Sequence, residues 1–118
     1  MLYTNLKHIE TAAEHAGIIS ENENVMVICG RMGPMCIPVY GIAEELEKEY
    51  VHVAFYDMEF DNPESHVIRN LLEVRGFMGI PFTVYYKNGK VVKATSSIQT
   101  REQVKAILDK EFAAPVNA

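Results

Sequence analysis

The unbroken apolar run from Val25 to Cys29, fenced by Asn22, Glu23 and Asn24 on one side and Gly30 on the other, constrains this chain more than any other stretch. A strand wet on one face would alternate apolar and polar residues. A short continuous apolar run instead reads as a strand buried on both faces. Such a strand needs a sheet covered on each side, so helices must precede and follow it.

The flanking segments supply them. Leu6, Ile9, Ala13 and Ala16 recur at helical spacing and predict a first helix, with Gly17 as its stop and the polar Ser20–Asn24 segment as a loop. A second helix is expected from Pro34, carrying Ile42, Leu46 and Tyr50 on its apolar stripe. Pro38 falls inside it and should kink the helix or shift its start. Val51 to Met58 reads as the next strand, followed by a turn at Asp61, Asn62 and Pro63 and a helix through Ile68, Leu71 and Leu72.

The last third reads differently. Phe82 to Tyr86 and Val91 to Ala94 are strand-like and joined through Asn88-Gly89, the pair that supplies the positive backbone angles of a tight hairpin. Tyr85 and Tyr86 alternate across their strand, which predicts that only one faces the core. A terminal helix opens at Thr100, where Gln103 completes a capping box, and continues through Val104, Ile107, Leu108 and Phe112. The tail from Ala113 to Ala118 should fray, with Pro115 marking the end. The expected class is α/β, with a mixed central sheet, helices on both faces and a C-terminal antiparallel hairpin and helix.

A chain of 118 residues, 48% hydrophobic and without a low-complexity linker or repeat, predicts one domain over residues 1–118. The net charge of -5 and the scattered Lys and Arg argue against a nucleic-acid partner. No apolar run is long enough for a membrane span, and Lys7, His8 and Glu10 interrupt what a secretory leader would keep apolar, so the expected location is cytoplasmic. His8, His15, His52 and His66 show no zinc spacing and read as solvated. The acidic segments at Glu10–Glu14 and Glu44–Glu49 read as ordinary polar faces. Neither a cofactor nor an assembly beyond a monomer or weak homodimer is expected.

The order of elements resembles the thioredoxin family over nearly the whole chain. Met32, Gly33, Pro34 and Met35 stand after the buried strand, where thioredoxins carry Cys-Gly-Pro-Cys at a helix start. Gly79, Ile80 and Pro81, followed by a strand and Lys87, Asn88 and Gly89, resemble the family's cis-proline loop and hairpin. The resemblance implies a thioredoxin fold, a role in thiol redox homeostasis, and a protein or peptide partner held at the motif loop and by Met78, Gly79, Ile80 and Pro81.

The departures bear on chemistry. With Met32 and Met35 at the motif positions, neither side chain can form a thiolate, so the ordinary dithiol exchange at those positions is excluded. The family's buried Asp and its Lys partner on the next strand align with Met26 and Phe55, an exchange of both partners that avoids stranding one buried charge. It implies that the site no longer needs the proton handling served by that pair.

Cys36 follows Met35 and is expected in the first helical turn, where the helix dipole favours a thiolate, which makes it the candidate nucleophile. A one-residue shift of the alignment puts it instead at the family's second cysteine, after Gly33, Pro34 and Met35. Cys29, at the end of the strand, reads first as a small core residue and alternatively as a disulfide partner or resolving thiol for Cys36. Three functions are compatible with these residues. The first is altered or attenuated thiol–disulfide chemistry at Cys36, an oxidoreductase outside the usual dithiol mechanism. The second is a redox-inactive peptide-binding module, its groove surrounded by Met32, Met35, Phe77, Met78, Ile80 and Phe82. The third is Cu(I) binding through Met32, Met35 and Cys36, with Met78 nearby, since soft sulfur donors select that ion.

Overall fold

The computed structural model describes residues 2–114. The central strand runs Asn24–Gly30 and is buried at every position, as an apolar run without alternation requires. We number the strands β1 (Lys7–Ile9), β2 (Asn24–Gly30), β3 (Ala54–Glu59), β4 (Phe82–Lys87) and β5 (Lys90–Ser96). The helices are α1 (Ala12–Glu21), α2 (Ile37–Glu49), α3 (His66–Arg69) and α4 (Arg101–Glu111). Together the strands form one five-stranded sheet in the order β1-β3-β2-β4-β5. β1 and β2 pair parallel to β3, whereas β4 pairs antiparallel with both β2 and β5.

Alternation along β2 divides the core in two. Met26 and Ile28 face a layer completed by Val39, Tyr40, Ala43 and Leu46 of α2 and by Val104 and Leu108 of α4. Val25, Val27 and Cys29 face the opposite layer, with Ile68 of α3 and the half-buried Ile18 and Ile19 of α1. Each fully buried aliphatic side chain of this kind contributes about 2 kcal/mol through apolar area removed from water. Covering both faces also buries both tyrosines of β4: Tyr85 enters the first layer and Tyr86 the second, so the expectation that only one would be buried is corrected.

The N-terminal periodicity is corrected as well. Leu6 and Ile9 are buried, but Lys7–Ile9 is an edge strand, and α1 starts only at Ala12 behind the Thr11 cap. Gly17 does not stop α1; the helix continues to Glu21 and ends where the Asn22 N–H bonds the Ile18 carbonyl. Pro34 lies in a turn, and α2 begins at Ile37 with Pro38 in its first turn, where the missing N–H has no intrahelical partner to lose. β3 begins at Ala54, leaving Val51 exposed in a turn. The third helix is short, a 3₁₀ turn at Pro63–Ser65 running into α3, so Leu71 and Leu72 lie beyond it and Leu72 is exposed.

The hairpin turns through Asn88 at φ 52° and Gly89 at φ 80°, the positive angles that Asn-Gly tolerates. At α4 the Thr100 side chain accepts from the Gln103 N–H while the Gln103 side chain accepts from the Thr100 N–H, a closed capping box. Ala113 and Ala114 are without regular structure, and the Pro115 stop lies outside the described residues.

Candidate functional site

The site forms where β2 ends. Gly30 is its floor: a Cβ there would stand 2.7 Å from the Tyr40 hydroxyl, 2.8 Å from Cys36 Sγ and 3.1 Å from Pro81 Cβ. Only a residue without a side chain lets the thiol, the phenol and the proline converge. The Ile80–Pro81 peptide bond is cis, and the loop is held to the end of β5 by the Ser97 N–H, which reaches both the Gly79 and Pro81 carbonyls at 3.1 and 3.0 Å.

Above this floor opens a groove of about 410 Å³ lined by Arg31, Gly33, Pro34, Met35, Cys36, Met78, Gly79, Ile80 and Ser97. The motif loop and the proline loop are therefore its two walls. Met78 is 96% exposed on one wall and Met35 42% exposed on the other, whereas Cys36 at the bottom is 1% exposed. Three residues expected around the groove are not there. Phe77 and Phe82 pack with each other and with the second core layer, and the Met32 sulfur instead accepts the Tyr3 N–H at 3.3 Å. The sulfurs brought to one groove thus belong to Met35, Cys36 and Met78, without Met32.

Cys36 caps α2 at its N-terminus. Burial nevertheless pushes its thiol above the ordinary value, opposed by the Arg31 N–H at 3.4 Å, the neighbouring Tyr40 hydroxyl and the Arg31 charge. Burial is the largest of these influences and works against the thiolate that a helix start favours. Cys29 is held further from ionisation, pushed up to about 12 chiefly by burial. Both cysteines are free thiols, and they pack on opposite faces of the sheet, Cys36 in the first core layer and Cys29 in the second.

Several neighbours were not singled out from sequence. Tyr40 reaches the site from the first turn of α2 and donates to the Arg31 carbonyl at 3.1 Å. Arg31 itself forms a two-point pair with Asp61, Nε–Oδ2 and Nη2–Oδ1 both at 2.8 Å, and lies over the Phe60 ring. The only sequence signal for this group is a glycine ending a fully buried strand, one helical start away from a tyrosine.

Met26 and Phe55 are register partners and both fully buried, so the apolar exchange at these positions packs as a pair. Two residues along β3, however, Asp57 is fully buried opposite Ile28. This face of the sheet therefore keeps a buried carboxyl after all. Asp57 accepts from Thr4 at 2.5 Å and meets His8 Nδ1 at 2.6 Å, and burial still raises its pKa. The dyad lines a separate cleft of about 310 Å³ with Leu2, Glu10, Thr11, Glu59 and Asn62. His15 is also buried, against Tyr86, so the reading of all four histidines as solvated is corrected for it.

No protein-family model matches the sequence, and no curated protein matches it either. Solved structures do. A Plasmodium falciparum thioredoxin superimposes with a TM-score of 0.75 at 27% identity, over 90% of this chain and 99% of its own. A point mutant of thioredoxin from Halobacterium salinarum gives 0.75 at 19% identity over 99% and 100%, and thioredoxin f2 from Chlamydomonas reinhardtii gives 0.77 at 13% identity over 94% and 100%. The five-stranded mixed sheet with helices on both faces is the thioredoxin fold. These solved structures, which the chain is like in fold, are thus thioredoxins, at 25 to 27% identity for the two from Plasmodium falciparum.

Proposed function

We propose that this protein carries out attenuated, one-cysteine thiol–disulfide exchange at Cys36 on a peptide seated in the groove. The observation that supports this most directly is the position of Cys36 Sγ: at the bottom of the groove, against Gly30 and Pro81, with the Arg31 N–H directed at it. In the forward step the Cys36 thiolate attacks one sulfur of a partner's disulfide. A bond forms between Cys36 and that sulfur, the partner's S–S bond breaks, and the other sulfur leaves as a thiolate. A small external thiol such as glutathione then attacks the mixed disulfide, and Cys36 departs as thiolate. Cys29, across the sheet and held protonated, takes no part. Exposed Met35 and Met78 supply adaptable apolar walls for the peptide. The proposed compartment is the cytoplasm, whose reducing thiol pool would supply the external thiol of the second step.

The test is incubation of the native protein with glutathione disulfide, followed by mass mapping. The expected product is one glutathione adduct on Cys36, none on Cys29, formed slowly at neutral pH and removed by excess dithiol. A native Cys36 that stays unmodified, while the denatured chain is modified at both cysteines, would overturn the proposal.

The 1% exposure of Cys36 favours a second reading, in which the groove binds peptide and the thiol is never used. A peptide ligand held equally well by the native protein and by Cys36→Ala, with no mixed disulfide from its cystine form, would establish it.

A further inference from the structure

The Tyr40 hydroxyl has one hydrogen and two acceptors within reach. In this structure it donates to the Arg31 carbonyl at 3.1 Å. The same oxygen and Cys36 Sγ crowd one point above Gly30, 2.7 and 2.8 Å from where a Cβ would stand, and the hydroxyl is close enough to act on the sulfur as a hydrogen-bonding neighbour. While Cys36 is a thiol, this arrangement is satisfied: the sulfur takes the Arg31 N–H and needs no second donor.

We infer that Tyr40 is a hydrogen-bond switch for Cys36, its hydroxyl turning from the Arg31 carbonyl to the sulfur when the thiol ionises, so that two donors hold the thiolate. The inference rests on the reading of Cys36 as the reacting group. The step balances simply. The thiol proton leaves to water in the groove, the phenol keeps its own hydrogen and redirects it, and the Arg31 carbonyl, on an exposed residue, takes a water in exchange. The phenol keeps its proton throughout, in line with the upward push that burial and then Cys36 itself exert on its pKa. Tyr40 thus adds a second donor to a thiolate that, at 1% exposure, little water can hydrate.

Among the described residues no other side chain competes for that role. Arg31 contributes its charge from above but spends its guanidinium on Asp61, Cys29 lies beyond the sheet, and Asp57 on β3 is occupied by Thr4 and His8. Tyr40 also stands one helical turn after Cys36, its N–H bonded to the Cys36 carbonyl at 3.1 Å, so one backbone turn sets both groups.

The experiment is the alkylation rate of Cys36 against pH in Tyr40→Phe, which keeps the ring in the core and removes only the hydroxyl. The apparent pKa of Cys36 should rise and its rate at neutral pH should fall about tenfold, the scale of one hydrogen bond to a charged group. A second variant placing 3-fluorotyrosine at position 40 makes the phenol a stronger donor without changing its shape, and should shift the Cys36 pKa downward. Unchanged profiles in folded Tyr40→Phe, or no downward shift with fluorotyrosine, would overturn the inference. Failure of the proposed function looks different: the pKa shifts would appear, yet no disulfide would exchange at Cys36.

Discussion

His8 Nδ1 stands 2.6 Å from Oδ1 of Asp57, a carboxyl with no solvent exposure whose other oxygen accepts from Thr4 at 2.5 Å. A buried carboxylate that loses one partner keeps its desolvation cost. His8→Ala should therefore lower the unfolding free energy by about 2 kcal/mol at neutral pH, the scale of a hydrogen bond to a charged group. The pH dependence has a definite sign. Because folding raises the Asp57 pKa, the folded state binds its proton more readily than the unfolded chain. The cost of the charge is fully present above the folded pKa and is relieved as pH falls through it towards the unfolded value of about 3.9. Urea unfolding at neutral and mildly acidic pH should show the native protein gaining on Asp57→Asn as pH falls; a gap that widens the other way would refute this account.

Tyr85 and Tyr86, adjacent in β4, should respond oppositely to loss of a hydroxyl. The Tyr85 oxygen is buried without a hydrogen-bond partner among the described residues, so Tyr85→Phe removes an unsatisfied group and should be neutral or gain about 1 kcal/mol. The Tyr86 oxygen lies 2.8 Å from His15 Nε2 inside the other layer, and Tyr86→Phe should lose about 1 kcal/mol. Equilibrium denaturation of the two variants decides the matter.

Burial lowers the His15 pKa, so the pair carries its own pH signature. A depressed histidine stabilises the fold fully above the unfolded value of about 6.5 and loses that contribution as pH falls through it towards the folded pKa. His15→Leu should flatten the decline in stability between about pH 7 and pH 5. An equally steep decline in that variant would assign the acid sensitivity to other groups.

Most of the architecture was legible because its signals are local. The unbroken Val25–Cys29 run, Asn88-Gly89 and the Thr100–Gln103 box each specify their element within a few residues. The errors came where local pattern and tertiary placement diverge. Leu6 and Ile9 bury by completing an edge strand, not a helix face, and spacing alone does not separate the two over so few residues. At the site, a helix start in sequence speaks only for the thiolate of Cys36, whereas the burial that works against it is set by tertiary packing. Tyr40, Gly30 and Asp57 escaped because their roles arise only when β2, β3 and α2 come together.

Gly30 gives the sharpest contrast with a neighbouring glycine. An added methyl at Gly30 meets the Tyr40 hydroxyl, Cys36 Sγ and Pro81 Cβ, all within 3.1 Å, and Tyr40 and Cys36 are both buried in the first core layer. Gly33, three residues on in the motif loop, has nothing within 4 Å of the same methyl. Gly30→Ala should therefore cost about 1–3 kcal/mol through overpacking, whereas Gly33→Ala should leave stability nearly unchanged. The two should also separate in reactivity. Displacing Sγ from the Arg31 N–H and Tyr40 removes the donors that favour its thiolate, so Cys36 in Gly30→Ala should alkylate with an altered pH profile while Gly33→Ala keeps the native one. If Gly30→Ala is as stable as the native protein and its Cys36 profile is unchanged, the close convergence of thiol, phenol and proline over Gly30 does not govern the site.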